Sequence, residues 1–230
     1  MQSIDKIYYI NLERRRDRKE HFLNISKKHG FPEEKIERFD AFDNKTHQFD
    51  EEILSLFKNA DYLQYPYCNA VICNQMSHFT IMKNMIENDY QNILVFQDDV
   101  ILREGFTDYV KGIMEKISKD AEMINLGMHE KAFYNEYIPW DLNSKNDDSR
   151  IAEEIINPYL CKLEHHLNPC SLSYILTKQG AKNMVRYFEK YGFRKCTDHA
   201  FNDYLKNNDL FYSSRKILAT SAIEFGSDIF

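Results

Sequence analysis

Apolar residues along this chain fall into two kinds of stretch: short unbroken runs, and longer segments in which they recur every three to four positions. The run Lys6, Ile7, Tyr8, Tyr9, Ile10, Asn11, Leu12 is too short for a helix and predicts a buried strand. Charge follows at once, and over 13–29 Phe22, Leu23 and Ile25 form the apolar stripe of a helix that Gly30 and Pro32 close. A second strand is expected over 35–42, a short helix over 50–58 and an irregular aromatic stretch over 62–67. Over 74–88, Met76, Phe79, Met82, Met85 and Ile86 keep the spacing of a core-facing helix. The unbroken run over 92–96 then fits a strand covered by helices on both faces. A helix over 104–118 and a strand over 121–126 continue the alternation of an α/β fold. Periodicity disappears over 127–150, which reads as a loop or excursion containing Pro139 and Trp140. Strands over 151–159 and 171–177 and helices over 178–190 and 198–206 complete the prediction. With no repeat, low-complexity tract or linker, one domain over 1–230 is expected.

Composition narrows the class. Hydrophobic residues at 43% and charged residues at 29% are ordinary for a globular chain, and 15 Tyr with 16 Phe argue against disorder over most of the length. A formal charge of -6 speaks against a protein that coats nucleic acid by bulk electrostatics. The five cysteines are odd in number, scattered and without a C-x-x-C pair, so reduced thiols in a cytoplasmic setting are expected. The first residues lack the layout of a secretion signal, and apolar runs stay below the roughly 18 residues of a membrane span. Peripheral membrane association is left open, and the sequons at Asn24 and Asn44 read as chance matches.

Two features carry chemistry. Asp98 and Asp99 interrupt an apolar segment at the end of a predicted buried strand. Desolvation there must be offset by a divalent cation, by arginines or by backbone donors. The crevice beyond the carboxyl ends of such strands is where ligands bind in open α/β sheets, and a hard cation with a diphosphate would suit the pair. A helix cap or a plain ion pair is the alternative. The second feature is the run Glu13, Arg14, Arg15, Arg16, Asp17, Arg18 between the first strand and first helix. Arg15 and Arg18 are three positions apart, so both can address one anion at a helix N-terminus, where a phosphate is favoured. A solvated basic face is the alternative.

The chain resembles glycosyltransferase family 25, and the resemblance covers nearly its whole length. Tyr9, Ile10, Asn11 and Leu12 with Arg15 and Arg18 look like the family's I-N-L-x-x-R-x-x-R opening. Cys73 to His78 resembles its C-x-x-S-H stretch with one extra residue, and Ile93 to Val100 the strand ending in E-D-D. Ser173 to Thr177 with Gly180 and Ala181 is similar to Y-x-I-S-x-x-G-A, Asp198 falls where the family has a late aspartate, and Ser227, Asp228, Ile229 match a family ending. The resemblance implies a single GT-A-type domain with a mixed, mostly parallel sheet flanked by helices. It implies inverting, metal-dependent transfer from a nucleotide-sugar, with UDP-sugar the expected donor. It implies Mn²⁺ or Mg²⁺ held by Asp99 and Asp98, with Asp228 as third ligand. Donor contacts are expected from Asn11, Arg15, Arg18, His78, Gln97 and Asp98, and Asp198 is the candidate general base; an N-cap role is the bland alternative for Asp198. His78 is read as buried and structural or as a nucleotide contact, His199 as a base, a ligand or exposed, and His165 with His166 as surface or acceptor groove. The acceptor would be a glycan or a collagen-like hydroxylysine. Gln97 departs from the family's usual Glu, which removes a charge and admits a second reading, a catalytically silent subunit that binds nucleotide-sugar. A phosphohydrolase built on Asp98 and Asp99 ranks below both, because Gln97 removes the nucleophile.

Overall fold

The computed structural model describes residues 1–128, 152–163, 171–208 and 210–228. The expected excursion from 129 onward, His165, His166, Cys170 and Ile229 lie outside the described residues. Ten strands and six α-helices are described: β1 (Lys6–Asn11), α1 (Arg16–Lys28), β2 (Ile36–Asp40), α2 (Glu51–Ser55), α3 (Cys68–Glu87), β3 (Asn92–Gln97), β4 (Val100–Leu102), α4 (Phe106–Glu115), β5 (Met123–Asn125), β6 (Ala152–Ile155), β7 (Leu160–Leu163), β8 (Ser173–Thr177), α5 (Lys178–Tyr191), α6 (Thr197–Asn207), β9 (Phe211–Ser214) and β10 (Ala219–Ser221).

Eight strands form one sheet in the order β2-β1-β3-β8-β5-β9-β7-β6, while β10 and β4 make a separate antiparallel pair. Relative to β1, strands β2, β3, β5, β9 and β6 run the same way and β8 and β7 run against it, which gives the expected mixed, mostly parallel sheet. β3 explains its own apolar run. Ile93 and Val95 enter the core layer shared with α3, α5 and α6, whereas Leu94 and Phe96 enter the layer shared with Phe22 of α1 and Phe106, Val110 and Ile113 of α4. A strand clothed on both faces has no polar alternation to display.

Several boundaries differ from expectation for physical reasons. Helix α3 starts at Cys68 rather than near 74, because Ala70, Val71, Ile72 and Cys73 are all buried and mask the helical period. The strand expected over 151–159 is a hairpin of β6 and β7, whose turn is held by Asn157 Oδ1 accepting from the backbone N–H of Tyr159 (2.9 Å) and Leu160 (3.0 Å). Strands β4, β9 and β10 escape the pattern altogether, since elements of only three or four residues carry no readable alternation. Helix α5 starts against the backbone of residue 122: the Thr177 hydroxyl accepts from Gly180 N (3.1 Å), and a Cβ at Gly180 would lie 2.2 Å from Glu122 O. Among the described residues no helix is long and apolar enough to cross a membrane.

Candidate active site

The chain-like order of β2, β1 and β3 brings their carboxyl ends side by side, and there a cavity of about 260 Å³ opens. That volume lies near the lower end of the range for small-molecule sites. Its floor comes from Ile10 and Leu12 at the end of β1 and from Gln97, Asp98 and Asp99 after β3. One face of α3 supplies Ala70, Val71, Asn74 and Ser77, and Asp198 enters from the first turn of α6.

Asp98 and Asp99 form the turn where the chain leaves the large sheet at Gln97 and starts β4 at Val100. Asp98 is 5% exposed and is held by Asn11 Nδ2 (2.6 Å) and Arg18 Nη1 (3.1 Å). Burial pushes its carboxyl up to about 6; the Asn11 hydrogen bond and the Arg18 charge oppose that shift, while neighbouring Asp99 adds to it. Arg18 Nη1 also stands 3.5 Å from Asp99 Oδ2, so one guanidinium spans both carboxylates. Asn11 keeps the turn compact by donating as well to Arg15 O (3.0 Å), tying the end of β1 to the start of α1.

The arginines meet a second carboxylate that arrives from the far end of the chain. After β10, Ala222 N donates to Asp99 O (2.7 Å), and residues 223–228 then pass over the N-terminus of α1. Asp228 accepts from Arg14 Nη1 (2.7 Å) and from Arg15 Nη1, and Arg18 Nη2 lies 3.6 Å away. Arg18 Nη2 donates to Gly226 O (2.6 Å), and Arg15 Nη2 to Phe225 O (3.3 Å). Burial works against ionisation of Asp228, yet the hydrogen bond from Arg14 and the charges of Arg15, Arg18 and Arg14 outweigh it and hold the carboxyl below its ordinary range. Arg15 is the residue before α1 rather than within it, so the convergence of Arg15 and Arg18 comes from the turn as well as from helical spacing. Arg14 belongs to the same run but not to the three-residue spacing of Arg15 and Arg18, and the turn before α1 is what aims it at Asp228.

Asp98, Asp99 and Asp228 do not make a ready cation cage. The Arg18 guanidinium lies between them, and among the described residues no three His, Cys, Asp or Glu side chains are grouped to hold a metal. A hard cation needs several oxygens at about 2.0–2.6 Å, and here Arg18 stands against Asp98 Oδ1, Asp99 Oδ2 and Asp228 Oδ2. As arranged, the three carboxylates expected to hold a cation are paired with arginines.

Gln97 and Asp198 are linked through Ser171, a residue no sequence pattern marked. Gln97 Nε2 donates to Ser171 Oγ (3.1 Å), and Ser171 N donates to Asp198 Oδ1 (2.7 Å). The Asp198 carboxylate is thus positioned by an element outside its own helix, and it lines the cavity. Thr197, beside it, donates its hydroxyl to Asn74 Oδ1 (2.6 Å) and pins α6 to α3. His78 takes the buried, structural place. One residue beyond the cavity-lining Ser77, it turns by about 100° on the helix, is 0% exposed and does not line the cavity. Its Nδ1 hydrogen-bonds the Tyr174 hydroxyl (2.8 Å), its ring meets Phe201 edge-on, and desolvation pushes its pKa down to about 3.

Comparison with known proteins agrees with these motifs. Over 131 residues the chain is 30% identical to procollagen galactosyltransferase 2 of Mus musculus, a match covering 54% of this chain and 21% of that protein. To procollagen galactosyltransferase 2 of Homo sapiens it is 27% identical over 189 residues, covering 80% of this chain and 28% of the relative. The chain thus spans less than a third of the length of these two relatives. A solved glycosyltransferase involved in glycosylation of the major capsid of PBCV-1 aligns with 97% of this chain and 94% of its own at 9% identity and a TM-score of 0.38. Residues 4–201 match the family model described as glycosyltransferase family 25 (LPS biosynthesis protein), and on that match, over most of its length, the chain belongs to glycosyltransferase family 25.

Proposed function

We propose that this chain transfers a sugar from a nucleotide-sugar, with a UDP-sugar as the first donor to test, to an acceptor hydroxyl with inversion at the anomeric carbon. The observation that carries the reading is one cavity, at the carboxyl ends of β1 and β3, lined both by Arg18 and Asp228 of the arginine cluster and by the separately positioned carboxylate of Asp198. Arg14, Arg15 and Arg18 would neutralise the donor diphosphate, a task that guanidinium forks perform well. Asn11 and Arg18 fix Asp98, and Gln97 with Asp98 would face the donor's ribose. Asp198 would accept the proton of the acceptor hydroxyl as its oxygen bonds the anomeric carbon. The bond from that carbon to the diphosphate oxygen breaks, and its electron pair leaves with the nucleoside diphosphate. Family membership and the names of the relatives support galactose as a sugar to try first, and a glycan or collagen-like hydroxylysine as acceptor.

Dependence on Mn²⁺ or Mg²⁺ is the part of the expectation that the geometry favours least, since Arg18 stands among the carboxylates. The test is transfer from UDP-galactose and UDP-glucose, with and without chelator, alongside calorimetric titration with UDP. Transfer that survives chelation leaves charge neutralisation to the arginines, whereas its loss would restore the cation. UDP binding without transfer to any acceptor or to water would favour the silent binding subunit, and no binding of any nucleoside diphosphate would sink the proposal.

A further inference from the structure

We infer that the segment ending at Asp228 is an internal occupant of the diphosphate subsite, which a nucleoside diphosphate must displace in order to bind. This rests on the reading of the arginine cluster as the donor's phosphate site. The acceptors that residues 225–228 present to the cluster are of the kind a diphosphate would bring: the Asp228 carboxylate on Arg14 and Arg15, and the carbonyls of Phe225 and Gly226 on Arg15 and Arg18. Each arginine has a further carboxylate of its own, Asp43 for Arg14, Asp17 for Arg15, and Asp98 with Asp99 for Arg18. Among the described residues Asp228 is the one carboxylate within reach of all three. Releasing it would leave each guanidinium anchored while opening the shared position. Among the described residues Arg18 Nε is buried with no hydrogen-bond acceptor, so the cluster has a donor that the tail does not use.

The backbone shows where the segment would part from the fold. Ladder pairing with β4 ends at Ser221, and Ala222 N then bonds Asp99 O. Beyond it, Gly226 holds φ +66°, a left-handed conformation, with nothing within 4 Å of a would-be Cβ. The contacts of 225–228 include the arginines at three residues, with the guanidinium carbons of Arg15 (6.0 Å) and Arg18 (5.9 Å) over the Phe225 ring, which also meets His21 edge-on. At the guanidinium groups a more highly charged anion therefore competes with one carboxylate and two carbonyls. Exchange of this kind would also couple donor arrival to opening of the cavity, because Gly226, Ser227 and Asp228 are part of its lining.

The experiment is calorimetric titration of the wild type, Asp228→Asn and Asp228→Glu with inorganic pyrophosphate and with UDP. Asp228→Asn is expected to bind pyrophosphate about tenfold more tightly than wild type, the gain when an internal competitor fills the site in about nine molecules of ten, and Asp228→Glu is expected to stay near wild type. A gain in affinity cannot come from a misfolded variant. Unchanged or weaker pyrophosphate binding in Asp228→Asn overturns the inference, and weakening that appears only with Mn²⁺ present would assign Asp228 to a cation instead. If UDP binds wild type while Asp228→Asn gains nothing, the inference falls and the donor reading stands. If Asp228→Asn gains for pyrophosphate while UDP binds neither protein, the donor reading falls and the displaced tail stands.

Discussion

Replacing His78 with Gln should flatten the pH dependence of folding stability while leaving donor binding intact. The imidazole is 0% exposed, packs against Tyr174 and Phe201, and is held neutral with its pKa pushed down to about 3 from an ordinary 6.5 by desolvation. A basic group whose pKa is depressed on folding contributes stability above its unfolded pKa and loses it as pH falls toward the folded one, because the unfolded chain takes up the proton first. The loss grows by about 1.4 kcal/mol per pH unit below 6.5, reaching roughly 2 kcal/mol at pH 5 and about 5 kcal/mol if the fold survives to pH 3. Gln cannot titrate, yet its amide can still meet the Tyr174 hydroxyl. Urea unfolding of both proteins between pH 7 and 4.5 gives the slopes directly. Wild type should be steeper than the variant by about one proton, and parallel curves would refute the burial argument. Calorimetry with UDP at pH 7.5 then separates the two roles read from sequence, since a residue outside the cavity should leave affinity unchanged and a nucleotide contact would not.

Three further outcomes follow from the same geometry. Asp198→Asn should keep UDP affinity and lose about 10²–10⁴ in kcat, measured by transfer assay, if the carboxylate takes the acceptor's proton; a mere structural role would leave kcat near wild type. Arg18→Ala strips Asp98 and Asp99 of their shared partner and should cost about 3–5 kcal/mol in urea unfolding as well as abolishing UDP binding, because buried carboxylates are left uncompensated. Gly180→Ala would place a methyl 2.2 Å from Glu122 O and should destabilise by about 1–3 kcal/mol with a lower thermal midpoint, while leaving donor affinity of the folded protein unchanged.

Sequence reading can mark a site where chemistry contradicts its surroundings locally. Two carboxylates in an apolar run and an arginine run after a strand are both visible without a structure, and both line or border the cavity. It failed where partners come from elsewhere. Ser171 bridges Gln97 and Asp198 through ordinary hydrogen bonds that any serine can make, and Arg14 joined the cluster only because the turn before α1 aims it there. The expected metal set has the same limit: spacing shows that three aspartates exist, whereas the position of the Arg18 guanidinium among them is a tertiary fact.

By itself the sequence determined the α/β class, most helices and the longer strands, because hydrophobic period depends on neighbours a few residues away. Order and direction of the strands came only from tertiary structure, including the reversal of β8 between β3 and β5, since pairing joins segments whose patterns are equally apolar. The same holds for the contact between Arg14 and Asp228, separated by 214 residues. No local rule reports that a tail carboxylate returns to the arginines at the start of the chain; only the closure of β10 on β4, which delivers Ala222 to Asp99, places it there.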